Sequence, residues 1–402
     1  MIYSFDGHEL DASRIELRRG SIVISIEPQV FDVLHFLIVH RDRVVDKREL
    51  LDAIWGTRFV TESALTSRIK AARRAVGDDG IAQRVIKTAH GRGYRFVATV
   101  VELDGRDGAV AGAAAALSEP PQAVHQAVRF CRAPDGVQLA YATAGSGPPL
   151  VKAANWLTHV RHDWESIVWG HWLRDLSRSH QVVHYDERGC GLSAWDAPDL
   201  GFESWVRDLE TVVDASGLDR FALLGISQGS GVAATYAARH PDRVSHLVLY
   251  GAFPQGRDVR ARTEVERREA AIMLELLDAG WARKESPFGH MFATQFMPNG
   301  SPEQWQAFVE LQARTTSPVN ARRLMEVSAH IDVTEVAPLV EAPTLVLHAT
   351  RDRRVPVAQG ELFASLIPGA RFCELDSDNH ILLDGEPAWT QFVAEVEAFV
   401  AS

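Results

Sequence analysis

The sequence predicts an α/β chain built in two parts, a small α+β module followed by a larger doubly wound sheet. Three observations carry this. Strand-like and helix-like runs alternate from residue 127 onward, as a sheet covered on both faces requires. Residues 101–126 lose all periodicity and are rich in Ala, Gly and Pro, with an alanine run at 113–116 and Pro120-Pro121, which marks a linker. The charge divides at the same place: residues 1–100 hold 16 Lys+Arg against 13 Asp+Glu, and the remainder holds 26 against 40. The expected parts are therefore 1–100, the linker 101–126, and 127–402. Composition, 46% hydrophobic and 24% charged over 402 residues, fits globular domains with a sizeable core. No apolar run approaches the ~18 residues of a membrane helix, and the start Met1-Ile2-Tyr3-Ser4-Phe5-Asp6 lacks the regions of a signal peptide. A cytoplasmic chain with no membrane partner is expected. Cys131, Cys190 and Cys373 fit no metal spacing and read as buried thiols, so neither a metal nor another cofactor is expected.

Residues 1–26 alternate polar and apolar and end in Ile22-Val23-Ile24-Ser25-Ile26, the pattern of a small antiparallel sheet. Pro28 opens a helix in which Phe31, Leu34, Leu37 and Ile38 recur at helical spacing. Asp46 with Glu49 three residues on resembles a capping box, for a second helix that buries Leu50, Leu51 and Ile54. Thr61 caps a third helix, whose Leu65, Ile69, Ala72 and Val76 fall in one narrow stripe. Ser63, Thr66, Ser67, Lys70 and Arg74 lie on its opposite side, with Arg68 and Arg73 at the borders. After Gly77-Asp78-Asp79-Gly80, strand runs 84–88 and 94–99 flank Ala89-His90-Gly91-Arg92-Gly93, a hairpin with a glycine-rich basic tip. Nine basic residues between 58 and 95 are opposed only by Glu62, Asp78 and Asp79. Three helices and a basic hairpin make a winged helix-turn-helix: the third helix enters the major groove and the wing reaches a neighbouring groove or phosphate.

On Arg43-Val44-Val45, Glu49-Leu50-Leu51, Ile54-Trp55, Val76-Gly77-Asp78-Asp79 and the run 86–96, residues 1–98 resemble the DNA-binding effector domain of OmpR/PhoB-type regulators. That resemblance implies DNA contacts from Arg68, Lys70 and Arg73 on the helix and from Thr88, His90 and Tyr94 in the wing. Ser63 stands where the family often has arginine, and His90 also replaces a basic residue, so affinity or sequence preference is expected to differ. Charge and wheel position add Arg74 and Arg92. With no receiver domain ahead of residue 1, no phosphoacceptor aspartate is expected to drive the module. Regulators of this kind imply RNA polymerase and a second copy of the chain as further partners.

In the larger part, the apolar run 221–224 leads at once into Gly225-Ile226-Ser227-Gln228-Gly229 and a helix-like run at 232–238. Strand, G-x-S-x-G, helix is the context of a nucleophile elbow. The turn is so sharp that side chains two before and two after the serine would collide, so both are glycine. Ser227 then projects from the carboxyl end of the sheet, with the Gln228 amide at the helix start placed to hold an oxyanion. Further strands are expected near Phe130 and at 137–141, 150–153, 181–185, 244–250, 344–348 and 371–375.

Eight strands with Ser, Asp and His in that order make residues 127–400 resemble the α/β-hydrolase fold over their whole length. Asp186-Glu187-Arg188-Gly189-Cys190-Gly191-Leu192-Ser193 matches that family's D-x-R-G-x-G-x-S turn, a structural brace. The resemblance implies Asp352 as the orienting acid and His380 as the base, with Asp376 and Asp378 as rivals for the acid. Where the family has His-Gly, this chain has Ala154-Asn155-Trp156. The second oxyanion donor is then the main chain of Trp156, or of Asn155, beside Gln228. An insertion at about 254–335 is expected to be a helical cap, with Met273, Trp281, Phe288, Met291, Phe292, Phe296, Met297, Trp305 and Phe308 mostly packing. Trp156, Trp164, Trp169 and Trp172 add to an apolar pocket. The ligand is expected to be small and partly hydrophobic: an ester, a lactone or an acyl compound. The function expected is a one-component DNA-binding transcriptional regulator with an α/β-hydrolase domain as sensor or catalyst. One alternative is a serine hydrolase merely localised by its winged helix; another makes the winged helix a protein-interaction module.

Overall fold

The computed structural model describes the chain except for residues 1, 12–15, 20–21, 25, 56–61, 79–82, 90–91, 104–125 and 282–286. The chain divides into two compact units, Met1–Ser118 and Glu119–Ser402.

The first unit runs β1 (Ile2–Phe5), β2 (His8–Asp11), β3 (Glu16–Arg19), β4 (Ile22–Ile24), α1 (Pro28–Val39), β5 (Val45–Asp46), α2 (Lys47–Trp55), α3 (Glu62–Ala75), β6 (Ile86–Ala89), β7 (Gly93–Phe96) and β8 (Val101–Leu103). The sheet expected in the first 26 residues is present, with the order β4-β3-β2-β1-β8. Its last strand corrects the linker: residues 101–103 pair antiparallel with β1, Leu103 opposite Ile2. The rest of the expected linker, with Thr61 and His90, lies outside the described residues. Leu65, Ile69, Ala72 and Val76 are all buried, against Leu34, Leu37 and Ile38 of α1 and Phe96 of the wing. The wing's root is set by Asp78, whose carboxylate accepts the amides of Arg84, Val85 and Ile86 at 2.9, 2.9 and 3.0 Å. At Gly93 (φ +148°) a Cβ would lie 1.9 Å from the Val45 carbonyl oxygen, so only glycine lets β7 close on both β5 and β6.

The second unit runs β9 (Ala127–Arg132), β10 (Gln138–Ala144), β11 (Pro149–Lys152), α4 (Val160–Glu165), α5 (Gly170–Leu176), β12 (Gln181–Tyr185), α6 (Phe202–Ala215), β13 (Phe221–Ile226), α7 (Gly229–Arg239) and β14 (Val244–Tyr250). The helices α8 (Arg257–Arg260), α9 (Glu264–Gly280), α10 (Pro287–Phe296), α11 (Pro302–Thr315) and α12 (Pro318–Ala329) fill the expected insertion. Then follow β15 (Thr344–Ala349), α13 (Val357–Leu366), β16 (Arg371–Leu375) and α14 (Pro387–Val400). The sheet order is β16-β15-β14-β13-β11-β12-β10-β9, parallel from β12 through β16. Every residue of β13 and β15 is buried, as strands covered on both faces must be.

The turn after β12 braces the unit as the sequence suggests. Asp186 accepts the amides of Val160 (2.6 Å) and Leu192 (2.7 Å). Arg188, wholly buried, forks onto Asp208 at 2.7 and 2.6 Å and reaches Asp135 at 2.7 Å. Burial works against this guanidinium's charge, yet the two carboxylates more than offset it and raise its pKa. Removing one member of such a pair strands the other charge in a poor solvent. Arg188→Met is therefore expected to destabilise the unit by about 3–5 kcal/mol, and Asp208→Leu added to it to restore part of that. Urea unfolding followed by tryptophan fluorescence checks this, since all ten tryptophans except Trp55 lie beyond residue 119.

Candidate functional site

Ser227 sits between β13 and α7 with φ +53°, a left-handed conformation that an L-residue adopts only when its surroundings impose it. The surroundings are visible on both sides. A Cβ at Gly225 would lie 2.7 Å from Ser230 Cα, and one at Gly229 would lie 2.4 Å from the Ala154 carbonyl oxygen. The Ser227 amide donates to Tyr250 O at 2.9 Å, fastening the bend to β14.

His380 follows β16 and is buried. Its Nδ1 donates to Asp352 Oδ2 at 2.6 Å, and Asp352 Oδ1 accepts the amides of Arg354 and Val355 at 2.7 and 2.9 Å. Burial alone would raise the Asp352 carboxyl, but His380 and then His348 beside it hold its pKa below the ordinary carboxylate value. The rival acids are engaged elsewhere: Arg351 binds Asp376 at 2.8 Å and also pairs with Asp378. With Nδ1 committed, Nε2 of His380 is left buried and without a hydrogen-bond partner, and it faces a cavity that Ser227 also lines. No hydrogen bond joins Ser227 Oγ to Nε2 among the described residues, a looseness common in unliganded acyl-transfer sites. Sequence reasoning missed what holds the histidine loop. Asn379 Nδ2 donates to Glu386 Oε2 at 3.0 Å, and Tyr250 Oη donates to Asn379 O at 3.2 Å.

The loop after β11 brings Asn155 and Trp156 to the same place. No acceptor among the described residues takes the amides of Trp156 or Gln228, and both residues line the cavity with Ser227. The Asn155 side chain is occupied, its Oδ1 accepting from Lys152 Nζ and its Nδ2 donating to Trp156 O at 3.3 Å, while its main-chain amide, like that of Trp156, has no acceptor among the described residues. Buried Lys152 is pulled down to about 8 by desolvation, though Asp163, Asp186 and Glu187 oppose the shift. Leu157, directly after Trp156, is buried and also left-handed at φ +59°, a second strained position in the loop that carries the candidate oxyanion donors.

The cap aromatics mostly pack, as expected: Phe292 stacks on Phe288 at 5.4 Å and contacts Phe296 at 5.1 Å. The expected apolar character of the pocket needs correction. The cavity beside Ser227 is lined by Phe253, Leu274 and Phe296 but also by Arg257, Arg260 and Arg354. Trp172 is not in it; this ring packs against Tyr250, Trp389 and Phe392.

On the first unit, Lys70 and Arg74 of α3 and Arg92 of the wing are exposed. The sequence placed Arg73 at the border of that face, but the structure buries it at 9% exposure. Its guanidinium donates to Ile86 O at 3.1 and 2.8 Å and to Thr88 Oγ1 at 2.8 Å. Arg73 thus ties α3 to the wing, and it occupies Thr88 in doing so. Arg68 is held by Glu27 at 2.9 Å and Gln29 at 3.1 Å, and Tyr94 is buried. The side chain of Ser63 and all of His90 lie outside the described residues.

Comparison with known proteins agrees with both units. Residues 157–387 match the family described as alpha/beta hydrolase fold, and residues 21–96 match "Transcriptional regulatory protein, C terminal". Pyrrolizixenacetamide deacetylase of Xenorhabdus hominickii is 28% identical over 66% of this chain and 95% of its own. The phosphate regulon transcriptional regulatory protein PhoB of Klebsiella pneumoniae is 32% identical over 98 residues, 24% of this chain and 42% of its own length. Among solved structures, the esterase RhEst1 from Rhodococcus sp. ECU1013 superposes with TM-score 0.54 at 27% identity. That match covers 68% of this chain and 98% of the esterase.

The strain at residue 227 has a measurable consequence. Ser227→Gly is expected to stabilise the chain by about 1 kcal/mol, raising Tm by roughly 2–4 °C, whereas Ser227→Ala, which keeps a Cβ at the same φ, leaves Tm unchanged. Differential scanning calorimetry of the full chain compares them.

Proposed function

Because this chain belongs to the alpha/beta hydrolase fold family and carries a transcriptional regulator's C-terminal domain ahead of it, we propose that it is a DNA-binding transcription regulator whose hydrolase unit takes a small ester, lactone or other acyl compound. The first unit binds DNA through the exposed Lys70, Arg74 and Arg92, with Arg68, Arg73, Thr88, His90 and Tyr94 shaping or extending that face. Occupation of the cavity biases DNA binding by favouring one conformation over another.

One observation carries the catalytic half. A buried imidazole, oriented by Asp352 through Nδ1, leaves Nε2 without a partner beside the cavity that Ser227 lines. In this reading Nε2 takes the proton as Ser227 Oγ attacks the acyl carbon. The oxyanion is held by the amides of Trp156 and Gln228. His380 returns the proton to the departing alcohol or amine as its bond breaks. Water, deprotonated by the same nitrogen, then releases the acid and restores the hydroxyl. The relatives' names support acyl-bond cleavage as the chemistry: a deacetylase and an esterase are among them. A second reading, a serine hydrolase localised on DNA by its winged helix, is favoured by the same complete set of groups. It differs in predicting that ligand leaves DNA affinity unchanged.

Two measurements on the full chain test this. A fluorophosphonate is expected to label wild-type protein, and His380→Ala to slow labelling by ~10³-fold or more; equal labelling of Ser227→Ala would sink the assignment. In mobility shifts, Lys70→Ala and Arg74→Ala are each expected to weaken DNA binding across sequences and lower the salt slope by about 1. Binding indifferent to salt and to both substitutions would instead make the first unit a protein-interaction module.

A further inference from the structure

Three guanidiniums meet at the cavity beside Ser227. Arg257 and Arg260 come from α8 at the start of the cap, and Arg354 from the loop just after Asp352. Arg354 is nearly a hundred residues from the other two in sequence, yet close enough to feel both of their charges. Burial, then the charges of Arg257 and Arg260, drives the pKa of Arg354 far below its ordinary value. Burial and Arg257 hold Arg260 down to about 10.

No carboxylate among the described residues bonds to them, though Asp258 and Glu269 favour the charge of Arg257, and Asp352 and Glu266 that of Arg260, from a distance. Among the described residues none of the three forms an ion pair, and Arg257 donates no side-chain hydrogen bond. Arg260 donates to Gln255 O at 3.2 Å and Arg354 to Gln295 Oε1 at 3.4 Å. Arg354 otherwise lies over the rings of Phe292 and Phe296, 5.4 and 5.0 Å from their centroids. The acids nearby are engaged elsewhere or stand back. Asp258, which shares the cavity wall, faces His330 at 3.6 Å, and Asp352 is taken by His380 and two amides. Glu266 caps α9 by accepting the Thr263 amide at 2.8 Å, and Glu269 is exposed.

Crowding like charges in a half-dry pocket costs stability unless something negative enters with them. Guanidinium groups in a fixed arrangement are the residue type that matches a planar carboxylate, two N–H donors to two oxygens. We propose that the cavity selects ligands bearing a carboxylate beside the acyl bond presented to Ser227, with Arg257, Arg260 and Arg354 as its anion-binding residues. This deepens the hydrolase reading and rests on it for the position of the acyl group. The apolar wall of Phe253, Leu274 and Phe296 takes the remainder, so the substrate class is a small amphipathic acid: a half-ester or an acyloxy acid.

The test compares matched pairs on the full chain: 4-acetoxybenzoate with methyl 4-acetoxybenzoate, and monomethyl glutarate with methyl pentanoate. These place the carboxylate on the alcohol and acyl sides respectively. At least one acid is expected to exceed its neutral partner in kcat/KM by about tenfold, the worth of one charge-assisted hydrogen bond. That ratio is expected to collapse toward one in Arg257→Gln and in Arg354→Gln, and to be partly kept in Arg257→Lys. Arg257, which holds nothing else in place, keeps the test interpretable should Arg354→Gln fold poorly. A wild-type ratio near one for both pairs, or a ratio untouched in Arg257→Gln, would overturn the proposal while fluorophosphonate labelling of Ser227 left the hydrolase reading standing. Conversely, calorimetric binding of glutarate or 4-hydroxybenzoate to Ser227→Ala, lost in Ser227→Ala/Arg257→Gln, would uphold the anion site even if no ester were cleaved. Displacement of both probes by equimolar inorganic phosphate would overturn the carboxylate assignment.

Discussion

A single backbone angle, φ +53° at Ser227, organises the larger unit, because the contacts that enforce it also position everything the site uses. Gly229 meets the Ala154 carbonyl so closely that no side chain could intervene, which brings the loop carrying Trp156 against the start of α7. On the other side, the Ser227 amide is bound by the carbonyl of Tyr250, and the hydroxyl of that same tyrosine is bonded to Asn379 O, one residue before His380. One buried residue thus spans from serine to histidine loop, its carbonyl holding the first and its hydroxyl the second. Gly251, directly after it, leaves room for the imidazole, since a Cβ there would fall 2.9 Å from His380 Cε1. Strain at the elbow and precision at the base are two results of one set of contacts.

Buried charge is handled in two ways within this unit, and the contrast is informative. Arg188 meets Asp208 and Asp135 in fork geometry, and its charge is secured. Arg354, only half-buried, has an amide oxygen and two aromatic faces as its partners, with two further arginines nearby. The first arrangement holds a turn in place. The second is incomplete as a structural device, which is why it reads as part of a binding site.

Much of this was legible in the sequence because it is written in local spacing. The elbow needs two glycines four residues apart, and the stripe of α3 needs apolar residues three and four apart; both survive in one dimension. What failed was direction. Arg73 sits where a wheel puts a border residue, but whether a border side chain turns outward or inward depends on the acceptors beside it. Here the carbonyl of Ile86, in a strand a dozen residues on, claims it. The arginine cluster was invisible for a related reason. Arg354 lies within the very segment that supplied Asp352, yet nothing local says that α8 will fold over it. Glu386, which steadies Asn379 and Ser377, is likewise ordinary in sequence and becomes informative only through its partners.

The charge asymmetry also changes meaning once the cavity is seen. Residues beyond 100 hold 26 basic against 40 acidic side chains, a balance that on its face would repel anions. At physiological ionic strength, though, exposed charges are screened beyond about 8 Å, so the acidic surface governs approach only weakly. Inside the cavity, screening is poor and the three guanidiniums set the sign of the potential. An arrangement of this kind discriminates after entry rather than attracting from a distance. It favours selectivity over speed of capture, as the proposed choice of a carboxylate-bearing ligand over its neutral counterpart requires.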